Sequence, residues 1–101
     1  MSARNGTRPV HPGEVLREEL DELQLSASAL ADALGVPVNR VTMMLRCERG
    51  VTADTALRLA RYFGTTPQLW LNLQKTLELR RAEIEAGREI VAQVAPRHTV
   101  A

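Results

Sequence analysis

Side chains that can read the edges of DNA bases are concentrated between residues 39 and 46. An asparagine pairs with adenine through two hydrogen bonds, an arginine binds guanine or a phosphate, and a threonine or methionine methyl contacts the thymine methyl. Stepping about 100° per residue from Val41 along a helix brings these side chains to one side: Asn39, Met43 and Arg46, with Arg40 and Thr42 beside them. Met44 and Leu45 fall on the side of Val41. The spacing therefore predicts one buried face and one nucleic-acid-binding face.

Two short helices joined at a glycine are predicted to hold that face in place. Apolar residues recur at helical spacing up to Leu34, and Gly35 follows, where a residue without a Cβ adopts the left-handed conformation easily. Pro37 is expected in the first turn of the next helix, where its missing N–H is not needed. This pattern predicts a helix-turn-helix, whose second helix enters the DNA major groove. The alternative is a helix hairpin with solvated arginines, but an exposed Met43 favours the first interpretation.

The positive charge of the chain is concentrated in the same region. The formal net charge is only +1, which argues against a general polycation. Residues 1–36 contain three arginines against six acidic residues, whereas residues 37–62 contain five arginines against two acidic residues. Twelve of the thirteen basic residues are arginine, which suits bidentate contacts, although a GC-rich genome gives the same bias. The basic segment therefore coincides with the predicted recognition helix, as phosphate binding requires.

An acidic helix is predicted before the helix-turn-helix. It covers residues 13–23, is opened by Pro12, and has a stripe of inward-facing apolar residues: Val15, Leu16, Leu20 and Leu23. The other side of the helix carries carboxylates: Glu14, Glu18, Glu19, Asp21 and Glu22. Such a face is either a solvated surface or a contact surface for a basic partner protein.

A fourth helix is predicted after a loop that has Gly50 as its flexible point. Thr52 is a suitable N-cap and Gly64 a suitable end for this helix. Its apolar residues predict the buried side: Ala56, Leu59, Ala60 and Phe63. The backbone N–H groups at its start, together with Arg49, could hold a DNA phosphate.

A fifth helix is predicted from Thr66 and Pro67 to about Ala86, and it is apolar over much of its circumference. Such a helix needs two partners, so we expect the domain's own core on one side and a second copy of the chain on the other. The predicted dimerisation residues are Leu69, Trp70, Leu71, Leu73 and Leu77. The alternative is a short sixth helix after Gly87 that folds back and covers this face.

The 101 residues predict one domain, residues 11–95, which binds DNA and dimerises. An extended segment, residues 1–10, and a flexible tail, residues 96–101, are expected to flank it. No apolar run approaches a membrane span, the start lacks a secretory signal, and the single cysteine suits a reducing cytoplasm. Catalysis needs an acid, base or nucleophile with a supporting group. His11 and His98 lie outside the predicted helical core, and Cys47 has no histidine near it in sequence and no second cysteine. We therefore expect no enzymatic activity, no metal and no cofactor.

Longer segments resemble one particular family. HPGEVLREEL at 11–20, LGVP at 34–37 and RGVTADTALRLARYFGTTPQLWLNLQ at 49–74 are similar to HigA-type antitoxins, which are Cro/lambda-repressor-like helix-turn-helix proteins encoded with a HigB toxin. The resemblance covers about residues 5–94. It implies an all-α, five-helix, dimeric fold with an extended C-terminal helical region. It also implies a protein that represses its own operon at palindromic operator DNA and binds a RelE-like, ribosome-dependent mRNA endonuclease, with no membrane or small-molecule substrate.

The resemblance places the DNA contacts on residues 38–43, with a phosphate contact at the start of the second helix: Val38, Asn39, Arg40, Thr42 and Met43, and Ser28. Helical spacing also places Asn39, Arg40, Thr42 and Met43 on the DNA-binding face. The predicted DNA-binding residues further include Arg46, which lies on the same face, and Arg49, which precedes the fourth helix. Val38 is the exception, because the spacing puts it near the core side. A stand-alone repressor without a toxin is the main alternative function, and a protein-binding module that no longer contacts DNA is a third.

Overall fold

The computed structural model describes residues 10–97, and all regular structure within that range is helical. The predicted all-α, five-helix architecture is confirmed. The helices, in chain order, are α1 (Pro12–Leu23), α2 (Ala27–Leu34), α3 (Val38–Leu45), α4 (Ala53–Phe63) and α5 (Pro67–Gln93). Most of the expected extended segment at 1–10 and of the tail at 96–101 lies outside the described residues. Within the described range, no helix combines the length and apolar character that crossing a bilayer requires.

Side-chain caps and glycines set most of the helix ends where the sequence predicts them. The hydroxyls of Ser26, Thr52 and Thr66 accept hydrogen bonds from backbone N–H groups in the first turns of α2, α4 and α5. Gly35 and Gly64 end α2 and α4 in the left-handed conformation, both with φ of 73°. One expectation differs from the structure, because Pro37 is the N-cap of α3 and does not lie in its first turn. Gln24 ends α1 in the left-handed conformation with φ of 53°, which the sequence pattern did not indicate.

His11 caps α1 from a buried position, whereas the sequence interpretation left it outside the core. Its Nδ1 accepts the N–H of Gly13 at 2.8 Å, and its own N–H donates to the carboxylate of Glu14. This reciprocal arrangement is a capping box. Burial, and then the charge of Arg81, lower the pKa of His11, whereas Glu14 raises it. A Cβ at Gly13 would overlap the carbonyl oxygen of Met44, so α1 packs directly against α3.

A single apolar core holds α3 from behind. It contains residues from all five helices, among them Leu16, Leu30, Val41, Met44, Leu59 and Trp70. Because interiors are closely packed, truncating a buried side chain such as Met44 to alanine costs about 2–5 kcal/mol. Leu23, which the sequence assigns to the inner stripe of α1, is exposed at the last turn of that helix. The recognition helix therefore rests on a core built from the whole domain.

The C-terminal helix is one continuous element, which makes the prediction of its end at Ala86 wrong. It runs to Gln93, passing through Gly87, and no sixth helix folds back within the described residues. A single glycine inside a helix costs only about 1 kcal/mol relative to alanine, and good helix formers flank this one. Beyond Leu77 every residue of α5 is partly or fully exposed. The domain is accordingly elongated, 54 × 26 × 23 Å.

Candidate nucleic-acid interface

The turn between α2 and α3 fixes the direction of the recognition helix. The N–H of Gly35 donates to the carbonyls of Ala31 and Asp32, and the N–H of Val36 also donates to Ala31. Ala31 is buried and small, so the two helices approach closely. From α4, the Nη1 of Arg58 donates to the carbonyl of Leu34 at 2.8 Å and satisfies an orphan acceptor at the end of α2. The helix-turn-helix is therefore fixed both by its own turn and by α4.

Recognition helix α3 has two distinct faces. Val41 and Met44 are almost fully buried, and Leu45 is half-buried beside them. On the other side, Asn39 and Arg46 are exposed, while Arg40, Thr42 and Met43 are half-buried. The Asn39 and Arg46 side chains form no hydrogen bond or ion pair within residues 10–97. Donors and acceptors that reach water from one face of a helix, while the opposite face is held in a core, form a surface that can contact base edges.

Val38 is the residue for which helical spacing gave the wrong side. Stepping along the helix puts it near Val41 and the core, yet the structure leaves it 46% exposed. Val38 is the first residue of α3 and is not among the residues that form or pack against the core, although Val36 before it is. It therefore extends the exposed strip at the N-terminal end of the recognition helix, where base contacts are usually made.

Arg40 differs from Arg46 and Arg49 because it is held by a carboxylate. Its Nη1 lies 3.1 Å from the Oδ2 of Asp54 in the first turn of α4. The same oxygen accepts from the Nε of Arg58 at 2.9 Å. The hydrogen bond and charge of Arg58, followed by those of Arg40, lower the pKa of Asp54. The carboxylate is therefore charged at neutral pH and connects α3 to α4.

Basic and polar groups meet where α1, α2 and α3 converge. The cleft there has a volume of about 390 Å³. Arg17, Asp21, Thr42 and Arg46 line it, together with Ser26 and Ala27 at the start of α2 and three leucines, Leu20, Leu25 and Leu45. Exposed Ser28 lies in the first turn of α2. The start of α2 lines this cleft together with two arginines, and a helix N-terminus favours an anion such as a DNA phosphate. Arg17 was missed in the sequence, because its neighbours are acidic and only the fold brings it to this cleft.

The loop between α3 and α4 is less flexible than its glycine suggests. The residue with positive φ is Cys47, at 61°, whereas Gly50 is not in that region. Gly50 makes room for Gln74 of α5, whose side-chain amide lies 2.7 Å from the position a Cβ would take. The Oε1 of Gln74 accepts the N–H of Val51 at 2.9 Å. This contact joins residues 23 apart, so no local pattern in the sequence indicated it. It attaches the α3–α4 loop, which contains exposed Arg49, to α5.

The predicted dimerisation residues separate into two groups. Trp70 and Leu77 are buried inside the protomer, and the Nε1 of Trp70 donates to the Oγ1 of Thr65. These two side chains are thus unavailable to a second copy. Leu69 is exposed, and Leu71 and Leu73 are half-buried. Further along α5 the exposed apolar side chains are Leu79, Ile84, Ile90 and Val91, followed by Val94 just past the helix.

No group of three or more histidine, cysteine, aspartate or glutamate side chains in the described part of the chain is placed to hold a metal ion. Cys47, the only cysteine, is half-buried in the α3–α4 loop. His98 lies outside the described residues. The structure instead brings arginine, asparagine, threonine and methionine side chains together around α3.

The model of a helix-turn-helix family matches residues 16–70, which is more than half of the chain. Virulence-associated protein I of Dichelobacter nodosus is 52% identical over 83 residues, covering 81% of this chain and 77% of the relative. An addiction module antidote protein of a HigA family from Coxiella burnetii has a TM-score of 0.88 and 51% identity over 90% of this chain and 100% of its own. Antitoxin GraA, solved in complex with its operator, has a TM-score of 0.85 and 51% identity over 94% and 95% of the two chains. The structural matches extend well beyond the helix-turn-helix.

Proposed function

The chain belongs to the HigA antitoxin family of helix-turn-helix proteins, and from that premise we propose that it is an antitoxin that represses its own operon and neutralises a RelE-like mRNA endonuclease toxin. The observation that carries the DNA-binding half is the exposed strip of α3, behind which Val41 and Met44 are buried. A similar chain, GraA, has been solved with its operator.

We assign base contacts to the strip on α3: Val38, Asn39, Arg40, Thr42 and Met43. Arg46 at the C-terminal end of α3 and Arg49 in the following loop bind phosphates, and Ser28 does so from the first turn of α2 together with Arg17 of the cleft. Arginine–phosphate contacts supply affinity for any DNA, whereas the base contacts supply preference for the operator.

The protein acts as a homodimer on a palindromic operator. The exposed apolar residues of α5 support this, because a helix that leaves the body of the protomer with such side chains in water gains by pairing. Leu69, Leu71 and Leu73, in the first turns of α5, remain predicted dimer contacts. Two recognition helices about 34 Å apart would place the half-sites one helical turn from each other. Its site of action is the cytoplasm, where the DNA of a bacterial operon lies.

The acidic face of α1 is where we place the toxin. Glu18 and Glu22 are exposed and Glu19 is half-buried, whereas Asp21 lines the cleft between α1, α2 and α3. A toxin that grips ribosomal RNA is expected to be basic, so its charge complements this face. Reversing the charges of Glu18 and Glu19 to lysine should weaken the complex, and an unchanged toxin affinity would remove this assignment.

Copurification with the product of the neighbouring gene tests both halves of the proposal at once. The full chain is coexpressed with the adjacent reading frame, and the purified material is footprinted on the shared promoter. A stable complex that protects the promoter is expected. Promoter protection without a complex would favour a stand-alone repressor, and a complex without DNA binding would favour a protein-binding module.

A further inference from the structure

The carboxylate of Asp54 holds two arginines from different parts of the DNA-binding domain. Its Oδ2 accepts from Arg40 of the recognition helix at 3.1 Å and from Arg58, one turn further along α4, at 2.9 Å. Arg58 in turn donates to the carbonyl of Leu34 at the end of α2. The series of contacts therefore runs from the end of α2, through α4, to the first turn of α3.

This arrangement fixes a side chain that would otherwise have many conformations. An unpaired arginine has roughly 2 kcal/mol of rotamer entropy to lose when it binds. The side chain of Arg40 is 27% exposed, and its guanidinium is bonded to the carboxylate of Asp54 on α4. A guanidinium has five N–H donors. The single bond to Asp54 thus leaves donors for a base.

A carboxylate beside a DNA-binding helix also opposes binding to DNA in general. Its charge repels phosphates, and it competes with them for Arg40. Asp54 competes for Arg40 with the phosphates of any DNA sequence. Only a correctly placed base compensates for this competition, by accepting hydrogen bonds from the guanidinium N–H groups that Asp54 leaves unbonded. Holding Arg40 in this way therefore lowers affinity for random DNA more than affinity for the operator.

We propose that Asp54 is a specificity-determining residue of the DNA interface, which positions Arg40 to read a base and keeps it from binding the phosphate backbone. Arg40 makes the contact, and Asp54 acts through it. This inference rests on the proposed function, because it requires that α3 bind operator DNA.

Asp54→Asn tests the proposal because asparagine keeps the shape of the side chain and removes its charge. Affinities for operator and for a scrambled duplex are measured by fluorescence anisotropy at matched salt. The ratio of the two affinities should fall about three- to tenfold, part of the discrimination that one arginine–base pair supplies. The matched control is Asp32→Asn on α2, since Asp32 is exposed and its side chain has no ion pair within residues 10–97. That control should leave the ratio unchanged.

The Arg40→Ala background separates positioning from a structural role. If Asp54 acts through Arg40, adding Asp54→Asn to Arg40→Ala changes the ratio no further. An unchanged ratio in the single Asp54→Asn variant, an equal fall in the Asp32→Asn control, or a further fall in the Arg40→Ala background would each overturn the proposal. Failure of the proposed function looks different, because the wild-type chain would then bind operator and scrambled duplex equally.

Discussion

Replacing Asn39 with alanine should weaken operator binding by about 1–3 kcal/mol, roughly 5- to 150-fold, and leave binding to random DNA almost unchanged. The side chain of Asn39 is exposed and has no hydrogen bond within residues 10–97, so alanine breaks nothing in the domain. At such a surface position the free energy of unfolding should change by less than about 0.5 kcal/mol. The predicted loss therefore comes from the bidentate contact with a base.

Anisotropy titrations with operator and scrambled duplexes measure the two affinities, and a thermal melt checks that the fold is intact. Asn72→Ala is the matched control, because Asn72 is an exposed asparagine on α5. Light scattering checks that this variant still dimerises, since its neighbours Leu71 and Leu73 are predicted dimer contacts. It should leave both affinities as in the wild type. Equal losses on operator and scrambled DNA for Asn39→Ala would refute the assignment, since they would make Asn39 a backbone contact.

Three further perturbations test the interface and its supports. Arg46→Ala should reduce the salt slope of DNA binding by about 0.9, one phosphate contact, and an unchanged slope would argue against that contact. Gln74→Ala should lower the free energy of unfolding by about 1–2 kcal/mol, because it leaves the N–H of Val51 without its acceptor. Denaturant unfolding measures this loss. An equal loss in Gln68→Ala, the control at an exposed site, would contradict the prediction. His11→Asn should remove a pH dependence of the free energy of unfolding, because the pKa of His11 is lowered in the folded chain. The stability that neutral His11 contributes is complete above about pH 6.5 and declines as the pH falls toward the folded pKa. Wild type and His11→Asn that lose stability in parallel between pH 7.5 and 5 would disprove that role.

Local rules were enough to predict the helix-turn-helix. Gly35 as the left-handed end of α2, Ser26 as its cap, and the burial of Val41 and Met44 all follow from short-range pattern and backbone sterics. The resemblance to a known family added Ser28 and Val38, which spacing alone did not assign to the DNA-binding face. Whether these residues contact DNA stays a prediction.

Contacts between distant segments were not predictable in the same way. The ion pair of Arg40 with Asp54 and the hydrogen bond of Gln74 with Val51 join different helices, and nothing in the local sequence indicates either pairing. Gly50 was interpreted as a flexible point because glycine usually provides one, whereas here it makes room for a side chain. Trp70 was assigned to a dimer surface because periodicity marks an apolar face without showing which neighbour covers it.

Methylation protection of the chain's own promoter most directly tests whether α3 reads the major groove, because dimethyl sulfate reports on guanine N7 there. A dimer that reads the major groove with α3 should protect two half-sites about one helical turn apart, with protection weakened in Asn39→Ala and unaffected in Asn72→Ala. Absence of protection at low salt, or a pattern identical in the wild type and Asn39→Ala, would contradict it.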